Sequence, residues 1–177
     1  VDYEARKKVE IDEYIEMIRL KTAVLLGCAL KTGAIIGNAS PEDANLLYEC
    51  GINIGVAFQL KDDMLDVYGD EATFGKKIGG DILCNKKTYL LIQALECAQG
   101  EDKVKLNRFL EDKTLSDAEK IKSVTLMYDK LGARKKCEDK LRYYYEKAIA
   151  NLDKISVSDN KKQELRILAE KLLSRND

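Results

Sequence analysis

The segment FQLKDDMLD, Phe58–Asp66, places acidic and amide side chains within otherwise apolar sequence. Counted from Gln59, the carboxylates of Asp62, Asp63 and Asp66 follow at offsets of three, four and seven positions. On an α-helix these offsets put all four side chains within an arc of roughly 100°. Carboxylates so close together repel one another unless a positive group lies over them. The pattern therefore predicts one polar stripe on a helix, which is either a solvated face or a cation site.

The donor atoms of this stripe narrow the choice of cation. Carboxylate oxygens suit Mg²⁺, a hard cation that keeps several water ligands and takes further ligands from protein and phosphate. The sequence contains no histidine, so any mechanism that needs an imidazole from this chain is excluded. The alternative is an acidic face exposed to water, as charged runs on helices commonly are.

A second segment, FGKKIGGDILCNKKTYL (74–90), follows the acidic stripe and carries glycines and lysines together. Glycines let backbone N–H groups approach a ligand closely, and lysines supply charge for phosphate oxygens. On its own this segment would be an exposed turn with ordinary lysines. Beside the carboxylates it predicts a diphosphate site, in which metal ions and ammonium groups hold opposite sides of the anion. The lysines are Lys76, Lys77, Lys86 and Lys87.

Lys21 and Thr22 lie between two apolar runs of a predicted helix. A lysine whose stem covers apolar surface, beside a threonine bonded to the backbone, would explain the pair without any ligand. Directed at a ligand, the same pair would offer an ammonium group and a hydroxyl dipole. The residues alone leave both interpretations open.

Composition indicates what kind of chain must position these groups. The 177 residues are 45% hydrophobic and 34% charged, with 11 glycines and one proline, which is typical of a globular helical protein. The 30 basic and 31 acidic residues nearly cancel, so no overall field favours nucleic acid or an anionic membrane. The five cysteines form no C-x-x-C pair, which predicts a reduced, cytoplasmic chain. The sequence has no run of about eighteen apolar residues, so no membrane insertion is expected.

Apolar residues recur with helical spacing along the whole chain, and no stretch alternates with period two for long enough to require a sheet. The predicted fold is all-α, with one domain over residues 1–177. Ser40 and Pro41 mark the clearest helix start, as a cap and a first helical residue. The predicted helices cover about 11–36 as one or two helices, 41–68, 86–98, 101–113, 116–131, 133–153 and 158–174, with a long loop at 69–85.

Three segments carry a specific resemblance in their order and spacing: KTA (21–23), GVAFQLKDDMLDVYGD (55–70) and the Gly/Lys segment at 74–90. They resemble the second half of a trans-isoprenyl diphosphate synthase of the polyprenyl synthetase family, which includes farnesyl and geranylgeranyl diphosphate synthases. The resemblance implies the isoprenoid synthase helical bundle, usually a homodimer. It also implies Mg²⁺-dependent, head-to-tail condensation of isopentenyl diphosphate with an allylic diphosphate.

The resemblance assigns roles to individual residues. Asp62, Asp63 and Asp66 would be metal ligands, with Asp62 the most direct. The diphosphate would be bound by Lys76, Lys86 and Lys21. The catalytic site, where the allylic cation develops, would be lined by Lys21, Thr22 and Gln59.

Members of the family carry a first aspartate-rich motif on a facing helix, and this chain contains no second D-D-x-x-D. We therefore expect a C-terminal fragment of a longer prenyl synthase chain, inactive alone because it holds half of the site. One alternative is a non-catalytic regulatory or small subunit, although the acidic motif is intact. Another is a related terpene synthase or head-to-head synthase, although the G-K-x-x-G-G-D loop and the Lys-Thr pair favour chain elongation.

Overall fold

The computed structural model describes residue 6, residues 8–70 and residues 78–174. In these ranges the chain forms α-helices joined by short turns and no β-strand, which confirms the predicted all-α fold. The helices are α1 (Ile11–Ile18), α2 (Val24–Ile36), α3 (Pro41–Tyr68), α4 (Gly80–Leu83), α5 (Tyr89–Cys97), α6 (Gly100–Glu111), α7 (Asp117–Lys130), α8 (Ala133–Asp153) and α9 (Asp159–Ser174).

The helix that carries the acidic stripe, α3, begins where its capping residues predict. The backbone N–H of Asp43 donates to Ser40 Oγ at 3.0 Å, and Pro41 takes the first helical position, where a missing N–H costs nothing. The helix continues for 28 residues. Its predicted bounds, 41–68, are confirmed.

Three stretches differ from the sequence prediction. Between α1 and α2 the chain forms a π-helical turn, Arg19–Ala23, so the predicted helix over 11–36 is continuous but wider at this point. The loop predicted over 69–85 contains the one-turn helix α4, which starts after Gly79 adopts a left-handed conformation with φ of 86°. The predicted helix at 86–98 begins only at Tyr89, because Thr88 caps it.

The described residues divide into two compact units, and the end of α3 belongs to the first. This unit comprises the described residues up to Tyr14 and those within Asp62–Asp139. In it α4, α5 and α6 pack against α7. A capping box starts α7, with Ser116 and Glu119 each accepting from the other's backbone N–H. The core is apolar and includes Ile82, Leu90, Leu106, Val124 and Tyr128.

The second unit comprises Ile15–Lys61 and the described residues from Lys140 onward. Cys50 and Ile54 of α3 pack with Ala148 and Leu152 of α8 and Ala169 of α9. Elsewhere in this unit the backbones of α2 and α3 approach each other closely, because Gly27 of α2 faces Gly51 of α3.

Within the described ranges, none of the helices combines the length and apolar composition that crossing a membrane requires. All five cysteines are free thiols, and those at Cys50 and Cys137 are buried. Burial raises the pKa of the Cys50 thiol to about 11, so this cysteine is an inert core residue.

Candidate active site

The three aspartates at the end of α3 do not share one environment. Asp62 and Asp66 are partly exposed, whereas Asp63 is buried, with its side chain 2% exposed. The single stripe predicted from the sequence therefore excludes Asp63. The physical reason is that Asp63 lies at the edge of the arc, about 100° around the helix from Asp62, where Tyr14 covers it.

Asp63 is held inside by neighbours from several segments. The Tyr14 hydroxyl donates a short hydrogen bond to Asp63 Oδ2, and the ammonium group of Lys86 lies 3.8 Å from Asp63 Oδ1. The Tyr14 ring is 2% exposed and makes an edge-on contact with the ring of Tyr89, with centroids 6.3 Å apart. The buried carboxylate thus has a hydroxyl donor and a nearby cation, as a charge inside a protein requires.

Lys86 is paired with carboxylates. Its Nζ donates to Asp81 Oδ2 at 2.7 Å, in addition to lying near Asp63. The sequence predicts that Lys86 contacts the diphosphate, and its position leaves this prediction open. An ammonium group has three N–H donors, so one hydrogen bond to Asp81 leaves donors for a phosphate oxygen.

Asp66 is joined to the loop that follows it. The backbone N–H of Asp81 donates to Asp66 Oδ2 at 2.9 Å, and that of Gly79 donates to the Asp66 carbonyl. Because Asp81 sits in the first turn of α4, its backbone N–H has no partner within the helix and is available to this carboxylate. These two hydrogen bonds fix the orientation of Asp66 relative to Asp81.

The pKa values reflect this crowding of carboxylates. Burial raises the pKa of Asp63 to about 6, against the opposing effects of the Tyr14 hydroxyl and the Lys86 charge. Burial also raises the pKa of Asp66. Burial by itself would lower the pKa of Lys86, but the hydrogen bond to Asp81 and the charge of Asp63 outweigh it and raise that pKa. The cluster therefore holds its lysine firmly protonated.

In the second unit, two of the predicted catalytic residues meet. Thr22 Oγ1 donates to Gln59 Oε1 at 3.2 Å, while Lys21 is exposed. Thr22 lies in the π turn, and a Cβ added to Gly55 would come within 2.5 Å of Ala23 Cα. This close approach brings the π turn against α3 and leaves Thr22 within reach of Gln59.

The donor chemistry of the acidic cluster fits a hard divalent cation. Asp62 and Asp66 supply only oxygen atoms, lie one turn apart on α3 and are partly exposed, so water and phosphate could complete a magnesium shell. Within residues 8–70 and 78–174, no three acidic or thiol side chains are arranged to hold a metal ion unaided. Lys76, predicted to bind the diphosphate, lies outside the described residues.

Sequence reasoning missed Tyr14 and the partnership of Asp81 with Lys86. Tyr14 precedes Asp63 by 49 positions, and no local pattern connects them. Asp81 could have been found, since it is the acid that ends the glycine-rich stretch before α4.

Comparison with known proteins places the chain in a family. The sequence model described as Polyprenyl synthetase matches residues 1–127. A geranylgeranyl diphosphate synthase of Sulfolobus acidocaldarius is 35% identical over 182 residues, covering 99% of this chain and 53% of that protein. A short chain isoprenyl diphosphate synthase of Methanothermobacter thermautotrophicus is 42% identical over 119 residues, 66% of this chain and 37% of that protein.

Solved structures agree in fold over almost all of this chain. A crystal structure of a geranylgeranyl pyrophosphate synthase superposes with a TM-score of 0.90 at 38% identity, covering 99% of this chain and 55% of the other. The geranylgeranyl pyrophosphate synthetase of Pyrococcus horikoshii gives a TM-score of 0.87 at 32% identity, covering 98% and 52%. The chain spans about half the length of the relatives that match it throughout. With the family sequence model matched over residues 1–127, the chain belongs to the polyprenyl synthetase family.

Proposed function

We propose that this chain is part of a trans-prenyltransferase of isoprenoid biosynthesis, which condenses isopentenyl diphosphate head to tail with an allylic diphosphate. The observation that carries the proposal is the pair of partly exposed carboxylates, Asp62 and Asp66, with Asp66 tied to the loop that precedes Lys86. Family membership and relatives described as geranylgeranyl diphosphate synthases support the reaction class.

The acidic pair would hold Mg²⁺, with Asp62 as the direct ligand and Asp66 acting through water. When bound, Mg²⁺ would supply positive charge over the diphosphate as its negative charge grows. Lys76, Lys86 and Lys21 would also bind phosphate oxygens. Asp63 is buried against Tyr14, so its contribution would be to orient neighbours.

In the proposed reaction the C–O bond of the allylic diphosphate breaks and the diphosphate leaves with the electron pair. The double bond of isopentenyl diphosphate attacks the allylic cation, a C–C bond forms, and a proton is lost to the departing diphosphate. Thr22 and Gln59, which are hydrogen-bonded to each other, would offer oxygen dipoles toward the cation. An amide and a hydroxyl stabilise charge without acting as strong bases, which protects the cation from premature proton loss.

The wider setting follows from the same proposal. We expect the complete protein to act in the cytoplasm, in keeping with five free thiols, and to form a homodimer. Leu25 and Ile36 on α2 are each 77% exposed, which is unusual for large apolar side chains and gives a second subunit a surface to cover. Sedimentation of the complete protein at micromolar concentration tests the dimer.

The decisive experiment is a prenyl-transfer assay on the complete protein with isopentenyl diphosphate, an allylic diphosphate and Mg²⁺. Formation of a longer prenyl diphosphate supports the proposal. Release of diphosphate from the allylic substrate without isopentenyl diphosphate would indicate a terpene synthase instead. Binding without either reaction would indicate a regulatory subunit. Residues 1–177 alone should show no turnover, because the first aspartate-rich motif is not in this sequence.

A further inference from the structure

We propose that Tyr14 is a positioning residue of the metal–diphosphate site. Its hydroxyl holds the Asp63 carboxylate in place, Asp63 and Asp81 together orient Lys86, and the Asp81 backbone orients Asp66. The identity of the ligand, a metal-bound diphosphate, rests on the proposed function. The series of contacts from Tyr14 to Asp66 does not depend on that function.

The first contact in this series, between Tyr14 and Asp63, lies in the protein interior. Tyr14 and Asp63 are each 2% exposed, so neither can touch a ligand in the solvent-accessible part of the site. The Tyr14 hydroxyl donates to Asp63 Oδ2, which leaves Asp63 Oδ1 toward the Lys86 ammonium at 3.8 Å. A buried carboxylate that lost this donor would be left short of a hydrogen bond and would move. This movement would alter the field that holds Lys86.

The last contact in this series reaches Asp66, a predicted metal ligand. Lys86 Nζ reaches Asp81 Oδ2 at 2.7 Å, and the Asp81 N–H reaches Asp66 Oδ2 at 2.9 Å. The Lys86 backbone N–H also donates to the Asp81 carbonyl at 2.9 Å, so Lys86 and Asp81 are tied by main chain and side chain. Movement of the Lys86 ammonium would thus remove one of the restraints on Asp81, whose backbone N–H holds the Asp66 carboxylate.

Packing alone does not account for a tyrosine at this position. The ring of Tyr14 meets the ring of Tyr89 edge-on, with an angle of 68° between planes, and a phenylalanine ring would keep that contact. What only the hydroxyl provides is the hydrogen bond to Asp63. Groups that orient a metal ligand by direct contact commonly affect metal affinity by about 10- to 100-fold, and Tyr14, which acts through further contacts, should have a smaller effect.

The experiment compares Tyr14→Phe with the native complete protein, using Mg²⁺ and inorganic pyrophosphate as the probe. Calorimetry should show pyrophosphate binding weakened by up to about 10-fold, the lower end of the range for a direct orienting contact, with the circular dichroism spectrum unchanged. The Asp81 backbone amide signal in NMR should move in Tyr14→Phe, because its hydrogen bond to Asp66 changes. Tyr143→Phe is the matched control, since Tyr143 is 48% exposed on α8, and it should bind as the native protein does.

A Tyr14→Phe protein that binds magnesium pyrophosphate as tightly as the native protein overturns the inference. If that variant does not fold, the native protein labelled at the tyrosine ζ-carbon replaces it, with Tyr14 assigned through its contact with the Tyr89 ring. The Tyr14 signal should then shift on saturation with magnesium pyrophosphate, and an unmoved signal overturns the inference. Native protein that binds the probe but transfers no prenyl group counts against the proposed function alone, whereas native protein that does not bind it counts against both.

Discussion

Gly51 of α3 faces Gly27 of α2 so closely that a Cβ built on Gly51 would lie 2.7 Å from Gly27 Cα. The atoms that it would meet are backbone, which cannot rotate away as a side chain can. The same faces meet again where Gly55 lies against Ala23. The position of the π turn, and with it the Thr22–Gln59 contact, depends on this lack of side chains.

Gly51→Ala should therefore destabilise the protein, although alanine is the better helix former. We expect the free energy of unfolding to fall by about 1–3 kcal/mol because the two helices must separate, measured by urea unfolding. Gly33→Ala is the matched control, since nothing lies within 4 Å of a Cβ added there. It should raise stability by up to about 1 kcal/mol. Equal effects of the two substitutions would contradict the close-packing argument.

Gly79→Ala should destabilise the start of α4, the helix that carries Asp81. Gly79 has φ of 86°, and an added Cβ would lie 2.5 Å from Ile121 Cδ1, so backbone strain and a clash act together. We expect a loss of roughly 1–3 kcal/mol in the free energy of unfolding, read from thermal denaturation.

The two causes can be separated by combining Gly79→Ala with Ile121→Ala. The second substitution relieves the clash but not the φ strain, so the double variant should lose less than the sum of the single losses. Strict additivity would show that the clash contributes nothing.

Asp62→Ala in the complete enzyme should lower turnover of the allylic substrate much more than it weakens binding of isopentenyl diphosphate. In the proposed reaction this carboxylate would act through Mg²⁺ on the leaving group, whose charge grows only as the C–O bond breaks. Losing one such electrostatic contact costs a factor of about 10² to 10³ in kcat, or roughly 3–4 kcal/mol. Steady-state kinetics measure the effect.

Lys76→Ala should also raise KM for the allylic substrate, because an ammonium group binds phosphate before and during bond breaking.

Asp139→Ala serves as the control for Asp62→Ala, because Asp139 is an exposed carboxylate paired with Lys135 on the surface of α8. Its kinetics should match those of the native enzyme. A fully active Asp62→Ala protein would show that the Asp62 carboxylate has no role in the proposed reaction.

Acid should weaken the capping box of α7. The hydrogen bonds that Ser116 donates to Glu119 hold the pKa of Glu119 below its ordinary value of 4.5. A lowered pKa means that the ionised carboxylate stabilises the folded state fully above pH 4.5. This contribution disappears as the pH falls through the lower folded-state pKa.

Urea unfolding at pH 7 and pH 3 checks this sign. Glu119→Gln keeps an acceptor at the same position but does not titrate, so it should lose less stability than the native protein between these pH values. Ser116→Ala, which removes the cap itself, should cost about 1 kcal/mol at pH 7. A native protein and a Glu119→Gln protein with identical pH profiles would exclude the carboxylate from the cap.

The parts of this structure that sequence could predict are those set by neighbours along the chain. Ser40 and Pro41 mark the start of α3 because a cap bonds to the backbone a few residues later. The polar spacing of Gln59, Asp62 and Asp66 is likewise local. Helical periodicity predicted both ends of α8 correctly, because an apolar stripe along the sequence is enough to indicate a helix of this length.

What sequence could not provide depends on residues distant in the chain. Asp63 differs from Asp62 because Tyr14, 49 positions earlier, lies over it in the folded protein. The helix α4 is too short to show a periodic pattern. Its position depends on Gly79 and on the hydrogen bond from Asp81 to Asp66, neither of which has a signature in composition.

The π turn at Arg19–Ala23 has an evolutionary consequence. A π turn holds one residue more than a turn of α-helix, so it is the form that a helix takes when a single codon is inserted and the flanking packing is kept. Sequences of relatives aligned across this point should accordingly tolerate a one-residue gap. A relative that lacks the extra residue would present its counterparts of Lys21 and Thr22 on a face rotated by about 100°.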